Sequence, residues 1–184
     1  MKKTVSISII FTILLFSFST ILAQDKNTFI GVKKCSMCHK KDKSGNKLKI
    51  WKDSKHANAF KTLQTAKADS IALAKGSKVK AAETPECLVC HATGYDLDAA
   101  MLGKYFKVEE GVQCETCHGA GSSYKSKKVM KDHAKSVAKG MVDYTVKNAA
   151  KEQCVTCHNE KSPTDKGFDF KERWAEIAHP VPTK

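Results

Sequence analysis

Apolar positions are sparse along this chain. Apart from one run at the N-terminus, three stretches show a helical period. Between Lys55 and Lys75 the spacing puts His56, Phe60 and Leu63 on one helical face. From Val129 to Met141 it gathers Val129, His133 and Val137, and from Phe168 to Ala178 it gathers Phe170, Trp174 and Ile177. Pro180 is predicted to stop the last helix just after His179. No segment alternates apolar and polar residues as a half-buried strand would. Gly76 to Glu86 and Glu160 to Gly167 read as loops. The pattern predicts a mainly α fold with long irregular connections.

The N-terminal run is of another kind. Lys2 and Lys3 precede Val5 to Leu22, a largely apolar stretch broken by Ser and Thr, and Ala23-Gln24 offers a cleavage point. Residues 1–23 are expected to be a secretory signal, leaving 24–184 as one exported domain in the periplasm or an equivalent compartment. The run is long for a signal, so an uncleaved anchor stays open, and membrane association is expected only in that case.

Composition then poses a problem. Residues 24–184 hold six Leu, four Ile, eleven Val and five Phe, 26 of 161. That is about 16%, below the roughly 20% under which a highly charged chain is expected to be disordered. The same stretch carries 30 basic and 19 acidic residues, a net charge of +11. An ordinary apolar core is nearly ruled out. Either the chain is disordered, or something other than side chains builds its core.

The cysteines decide between these. All eight fall in four pairs, each followed at once by histidine: Cys35, Cys38 and His39; Cys87, Cys90 and His91; Cys114, Cys117 and His118; Cys154, Cys157 and His158. This is the attachment pattern of c-type haem. The two-residue gap matches the separation of the porphyrin's two thioether positions, and the adjacent histidine reaches the iron as proximal ligand. A disulfide scaffold would not place histidine after every second cysteine. Two such pairs closing a zinc site would leave the histidines surplus. Four covalently attached haems, about 40 residues apiece, supply the missing apolar surface, so the expected fold is a compact multihaem unit whose core is the haems themselves. First cysteines are 52, 27 and 40 residues apart, an irregular unit rather than a tandem array.

Seven histidines less four leave His56, His133 and His179, each on or at the end of a helical face. A lone histidine on such a face is ordinarily a packing residue. Four irons in want of a sixth ligand make these three candidate distal ligands, giving three bis-histidine haems and one without an imidazole partner. That fourth iron is left open, bound by water, or ligated by Lys or by one of Met101, Met130 and Met141. Met37 lies inside its own attachment motif and cannot turn onto that iron.

Three segments resemble the tetrahaem cytochrome c-554 family: Trp51-Lys-Asp-Ser54-Lys-His56-Ala-Asn-Ala-Phe60, Cys87-Leu-Val-Cys90-His91-Ala-Thr-Gly94, and Gly111-Val-Gln-Cys114-Glu115-Thr-Cys117-His118-Gly119-Ala-Gly121. The resemblance implies a mainly helical fold with closely packed haem pairs, passing electrons between periplasmic oxidoreductases. It implies that the haem on Cys87, Cys90 and His91 is the open one, and that His133 serves the first haem. His56 and His179 then divide the third and fourth haems between them. The lysine-rich segment from Gly121 to His133 departs from the family in its length.

Charge bears on partners. Four oxidised haems with their propionates bring the formal +11 to about +7, and full reduction to about +3. The surplus predicts docking to acidic faces of redox proteins, with salt-sensitive association. Nucleic acid, the usual partner of a basic chain, is not expected for an exported haem protein. Lys125, Lys127, Lys128 and Lys131 are the densest run, read equally as a solvated face or a docking patch. Three functions stand: an electron carrier, a redox enzyme acting on a small nitrogen or oxygen species at the open haem, or a subunit of a multihaem filament or complex. No catalytic side chain is identified, and the open haem at His91 is the candidate reactive centre.

Overall fold

The structure is a computed structural model describing residues 26–179; the predicted signal segment and the stop at Pro180 lie outside them. Among the described residues the regular structure is helical, and the isolated pairing of Phe29 with Leu102 is the one β-bridge. The helices are short: α1 Val32–His39, α2 Lys47–Asp53, α3 Ala59–Leu63, α4 Ala66–Ala74 and α5 Pro85–His91. They continue as α6 Cys114–His118, α7 Lys127–Met130, α8 His133–Ala138, α9 Ala149–Val155 and α10 Phe170–Ile177.

Capping residues explain where the sequence pattern holds and where it breaks. The last predicted helix is α10, opened by Asp169, whose carboxylate accepts from the Glu172 N–H at 2.9 Å. The stretch from Lys55 to Lys75 is not continuous. A 3₁₀ turn at His56–Asn58 leads into α3, and Thr65 caps α4 by accepting from the Ala68 N–H at 3.2 Å. The stretch from Val129 to Met141 is divided likewise, because Asp132 accepts from the Lys135 N–H at 3.1 Å and starts α8 afresh. His133 thus opens a helix instead of standing inside one. Of the loop predicted from Gly76 to Glu86, residues Ala81–Glu83 form a 3₁₀ turn, and Pro85 occupies the first turn of α5.

Side-chain burial is slight. Ile30, Val32, Leu63, Ala72, Ala81, Ala92 and Tyr124 are the buried apolar residues among those described, and three of the seven are alanine. Leu63, Ala72 and Ala81 form the one core cluster, with Cys87 and Leu88 of α5 packed against it. Hydrogen bonds carry much of the remaining organisation. Trp51 Nε1 donates to the Val112 carbonyl at 2.7 Å, and the Val112 N–H donates to the His56 carbonyl at 3.1 Å. The buried Thr93 hydroxyl donates to Gly111, accepts from the Gln113 N–H and meets Thr116. These bonds join the three segments that carry the family resemblance, so those segments form one structural unit.

Candidate functional site

Each attachment motif lies on a helix or its last turn. Cysteines at i and i+3 share a helical face, and histidine at i+4 stands beside the first of them. Cys35, Cys38 and His39 close α1; Cys87, Cys90 and His91 close α5; Cys114, Cys117 and His118 make up most of α6. Cys154 lies in α9, and the turn continues through Cys157 and His158, whose N–H groups both donate to the Cys154 carbonyl. None of the eight cysteines is paired in a disulfide.

Cysteines of different motifs lie close together, Cys117 near Cys154 and Cys157 among them. Cys35 of α1 lies beside Cys114 of α6. Cys90 of α5 stands against Cys157. First motif thereby stands beside third, and fourth beside both second and third. Between the second and fourth lies a cleft lined by Cys90, Thr93, Tyr95, Asp96, Thr116 and Cys157, with a volume of about 230 Å³.

Two of the three spare histidines face proximal ones. The rings of His118 and His179 are 5.7 Å apart between centroids, and those of His56 and His158 are 6.0 Å apart. Two imidazoles on opposite sides of one metal, each with a metal–nitrogen bond of about 2 Å, have centroids roughly 6 Å apart. Burial lowers the proton affinity of all four rings, that of His118 to about 4, so each is held as the neutral imidazole that a metal takes. His179 Nδ1 meets the Ile177 carbonyl at 3.1 Å and His91 Nδ1 meets the Ala59 carbonyl at 2.9 Å, which leaves Nε2 of each ring free. The residues present therefore fit haem: thiols and imidazoles at attachment spacing, and opposed neutral rings at metal-bridging distance.

His133 behaves differently. Its side chain is 48% exposed and its Nε2 lies 3.3 Å from an Asp143 oxygen, not against another imidazole. His39 Nδ1 is buried and without a hydrogen-bond partner. His91 belongs to no aromatic ring pair among the described residues.

Several residues of the site have no sequence motif to announce them. Phe168 stacks on His158 with centroids 4.5 Å apart and planes 12° from parallel. Tyr144 lies edge-on to both His118 and Trp174, and its hydroxyl donates to the Cys117 carbonyl at 2.6 Å. The periodicity that placed Trp174 and Phe170 on one face of α10 identified one side of this aromatic wall. Glu115, inside the third motif, is 2% exposed. Its signal was a carboxylate in an otherwise uncharged attachment gap, followed by Gly119-Ala-Gly121. The lysine run at Lys125, Lys127, Lys128 and Lys131 is wholly exposed.

Gly111 holds the frame on which His56 hangs. Its φ is +74°, and a Cβ there would stand 2.8 Å from the His56 carbonyl oxygen. Gly111→Ala is expected to destabilise the protein by about 1–3 kcal/mol and to displace His56. A lowered melting temperature with a change at one haem checks this; unchanged melting refutes it.

The family described as cytochrome c554 and c-prime matches residues 34–119. A cytochrome c-554 from Nitrosomonas europaea is 33% identical over 111 residues, covering 59% of this chain and 43% of that relative. The chain thus matches less than half the length of that curated relative. No solved structure matches.

Proposed function

We propose that the chain is a c-type cytochrome of the cytochrome c-554 family with covalently bound haem, an exported tetrahaem electron carrier working between redox proteins. Bound haem supplies a reversible one-electron couple at iron. The chain's own part is to hold and insulate it. In this reading the eight cysteines of the four motifs supply the thioether sulfurs, and His39, His91, His118 and His158 supply the proximal nitrogens. His179 stands opposite His118, His56 opposite His158, and His133 opposite His39. His91 has no imidazole partner, which makes its haem the open one.

The observation that carries this reading is the pair of opposed rings, His118 with His179 and His56 with His158. Those partners come from different parts of the chain, and simple core packing gives no reason for two such pairs to recur at metal-bridging separation. Pairing of first motif with third and of second with fourth supports a conducting array, since electrons pass readily only between closely placed centres. Ligation by His133 requires its ring to leave Asp143. Export is supported by Lys2 and Lys3 ahead of the Val5 to Leu22 run. Among the described residues no helix is long and apolar enough to cross a membrane.

Acidic partner faces are supported by lysines that no carboxylate neutralises among the described residues. Lys33 and Lys34 lie 4.7 and 4.4 Å from the centroid of the Tyr105 ring, beside α1, and Lys104 is 5.9 Å away. Salt screens such exposed charges, so electron exchange with an acidic partner is expected to slow as ionic strength rises.

The deciding experiment counts haems per chain and records spin states in a redox-poised spectrum of the holoprotein. Four haems, three low-spin and one high-spin, are expected. His56→Ala and His179→Ala are each expected to convert one low-spin haem to high-spin by electron paramagnetic resonance. An unchanged spectrum returns that histidine to a packing role.

A further inference from the structure

One buried charge in the protein has no cationic partner and no part in attachment. Glu115 occupies the gap of the third motif, between Cys114 and Thr116, and is 2% exposed. Its Oε1 accepts from the Gly121 N–H at 2.7 Å and the Ile30 N–H at 2.8 Å. Its Oε2 accepts from the Gly31 N–H at 2.8 Å and from the same Ile30 N–H at 3.0 Å. Three backbone donors converge on it, and among the described residues no Lys, Arg or His forms an ion pair with it.

Such a donor set suits only a group that accepts at both oxygens, which is the carboxylate anion. The cradle is also shaped for it. A Cβ on Gly121 would stand 3.1 Å from Oε1 and 2.9 Å from the Ile30 side chain, so the backbone approaches the carboxylate as only glycine allows.

The position of the charge gives it a task. Ile30 and Gly31 lead directly into α1, which carries Cys35, Cys38 and His39, while Gly121 lies three residues beyond α6, which carries Cys114, Cys117 and His118. The carboxylate therefore bridges the first and third attachment helices, whose Cys35 and Cys114 lie side by side.

We propose that Glu115 is a fixed buried anion that lowers the reduction potential of the haems held by α1 and α6. The inference rests on the tetrahaem reading. An oxidised haem carries one more positive charge than a reduced one. A nearby anion shielded from water therefore stabilises the oxidised state and opposes uptake of the electron. The second and fourth attachment helices make no hydrogen bond to this group, although it also borders the cleft lined by Cys90 and Cys157. Glu115 thus acts most strongly on the two haems whose helices it bridges. It is a positioning residue, since it touches the helices and not the reacting centres.

The test is a spectroelectrochemical titration of the full holoprotein with soluble mediators supplying the electrons. In Glu115→Gln, two of the four one-electron steps are expected to move to higher potential. The reduced-to-oxidised ratio at fixed poise should rise at least tenfold for each, equivalent to 59 mV for a one-electron couple, with the other two steps moving less. Four unmoved steps in folded protein, or four steps moved alike, overturn the proposal. If that variant does not accumulate, wild-type protein decides: the two lowest steps must keep their separation from the others between low and high salt, because a buried charge escapes screening. A separation that collapses in salt assigns the effect to surface charge and overturns the proposal. Haem content per chain is read separately. A count below four defeats the tetrahaem reading, whereas four haems with unmoved steps defeat the role of Glu115.

Discussion

Expressed without haem-attachment machinery, the chain is expected to be unfolded and rapidly degraded. The seven buried apolar residues, three of them alanine, are too few to offset ordering this backbone. A fully buried large aliphatic side chain contributes about 1.5–3 kcal/mol, while fixing one residue's backbone costs about 1–2 kcal/mol. Leu63, Ala72 and Ala81, with the side chains around them, are the one cluster of core type, and it reaches only α3, α4 and α5. The hydrogen bonds through Thr93, Val112 and Glu115 fix geometry, yet each replaces a bond to water and adds only about 1 kcal/mol net. Covalent haem supplies the remaining apolar surface and couples attachment to folding, as a structural metal does in a small metal domain. Circular dichroism and a thermal melt of haem-free protein check this. A cooperative transition in that material refutes it.

The same scarcity of apolar residues explains what was legible in the sequence. Attachment sites are local: cysteine, cysteine and histidine at i, i+3 and i+4 act on one helical turn, and all four motifs lie on a helix or its last turn. Helix α10 was legible too, because Phe170, Trp174 and Ile177 share one face and Asp169 caps it. Where apolar periodicity was weak, polar capping overrode it. Thr65 and Asp132 each restart a helix where a continuous one was expected, and no hydrophobic stripe was strong enough to resist.

The pairing of motifs was not legible, since Cys35 meets Cys114 across 79 positions of sequence through tertiary packing alone. Nor was the division of His56 and His179 between the third and fourth motifs, which the ring pairs with His158 and His118 now suggest. Glu115 stands within a motif that gives it no role. A carboxylate in a sequence gives no sign of three backbone donors arriving from residues 30, 31 and 121.

Cyanide or nitric oxide added to the holoprotein is expected to perturb one haem, about one quarter of the haem absorbance, and that haem is the one held by Cys87, Cys90 and His91. Seven histidines cannot fill eight axial positions on four irons. The candidate distal rings lie elsewhere: His56 is with His158, His179 is with His118, and His133 is beside Asp143. His91 keeps its Nδ1 on the Ala59 carbonyl at 2.9 Å, which orients the ring without occupying Nε2. The neighbouring cleft offers Tyr95 and Asp96 as hydrogen-bonding groups for a small polar ligand. Replacing His91 is therefore expected to change the spectrum of that haem's ligand complex, while His56→Ala and His179→Ala each enlarge the response by one newly opened haem. A response from none of the haems assigns the sixth position to a methionine, a lysine or a blocked face. A response spread over several in unmodified protein defeats the opposed-ring assignment, because two strong imidazole ligands leave no room for a third.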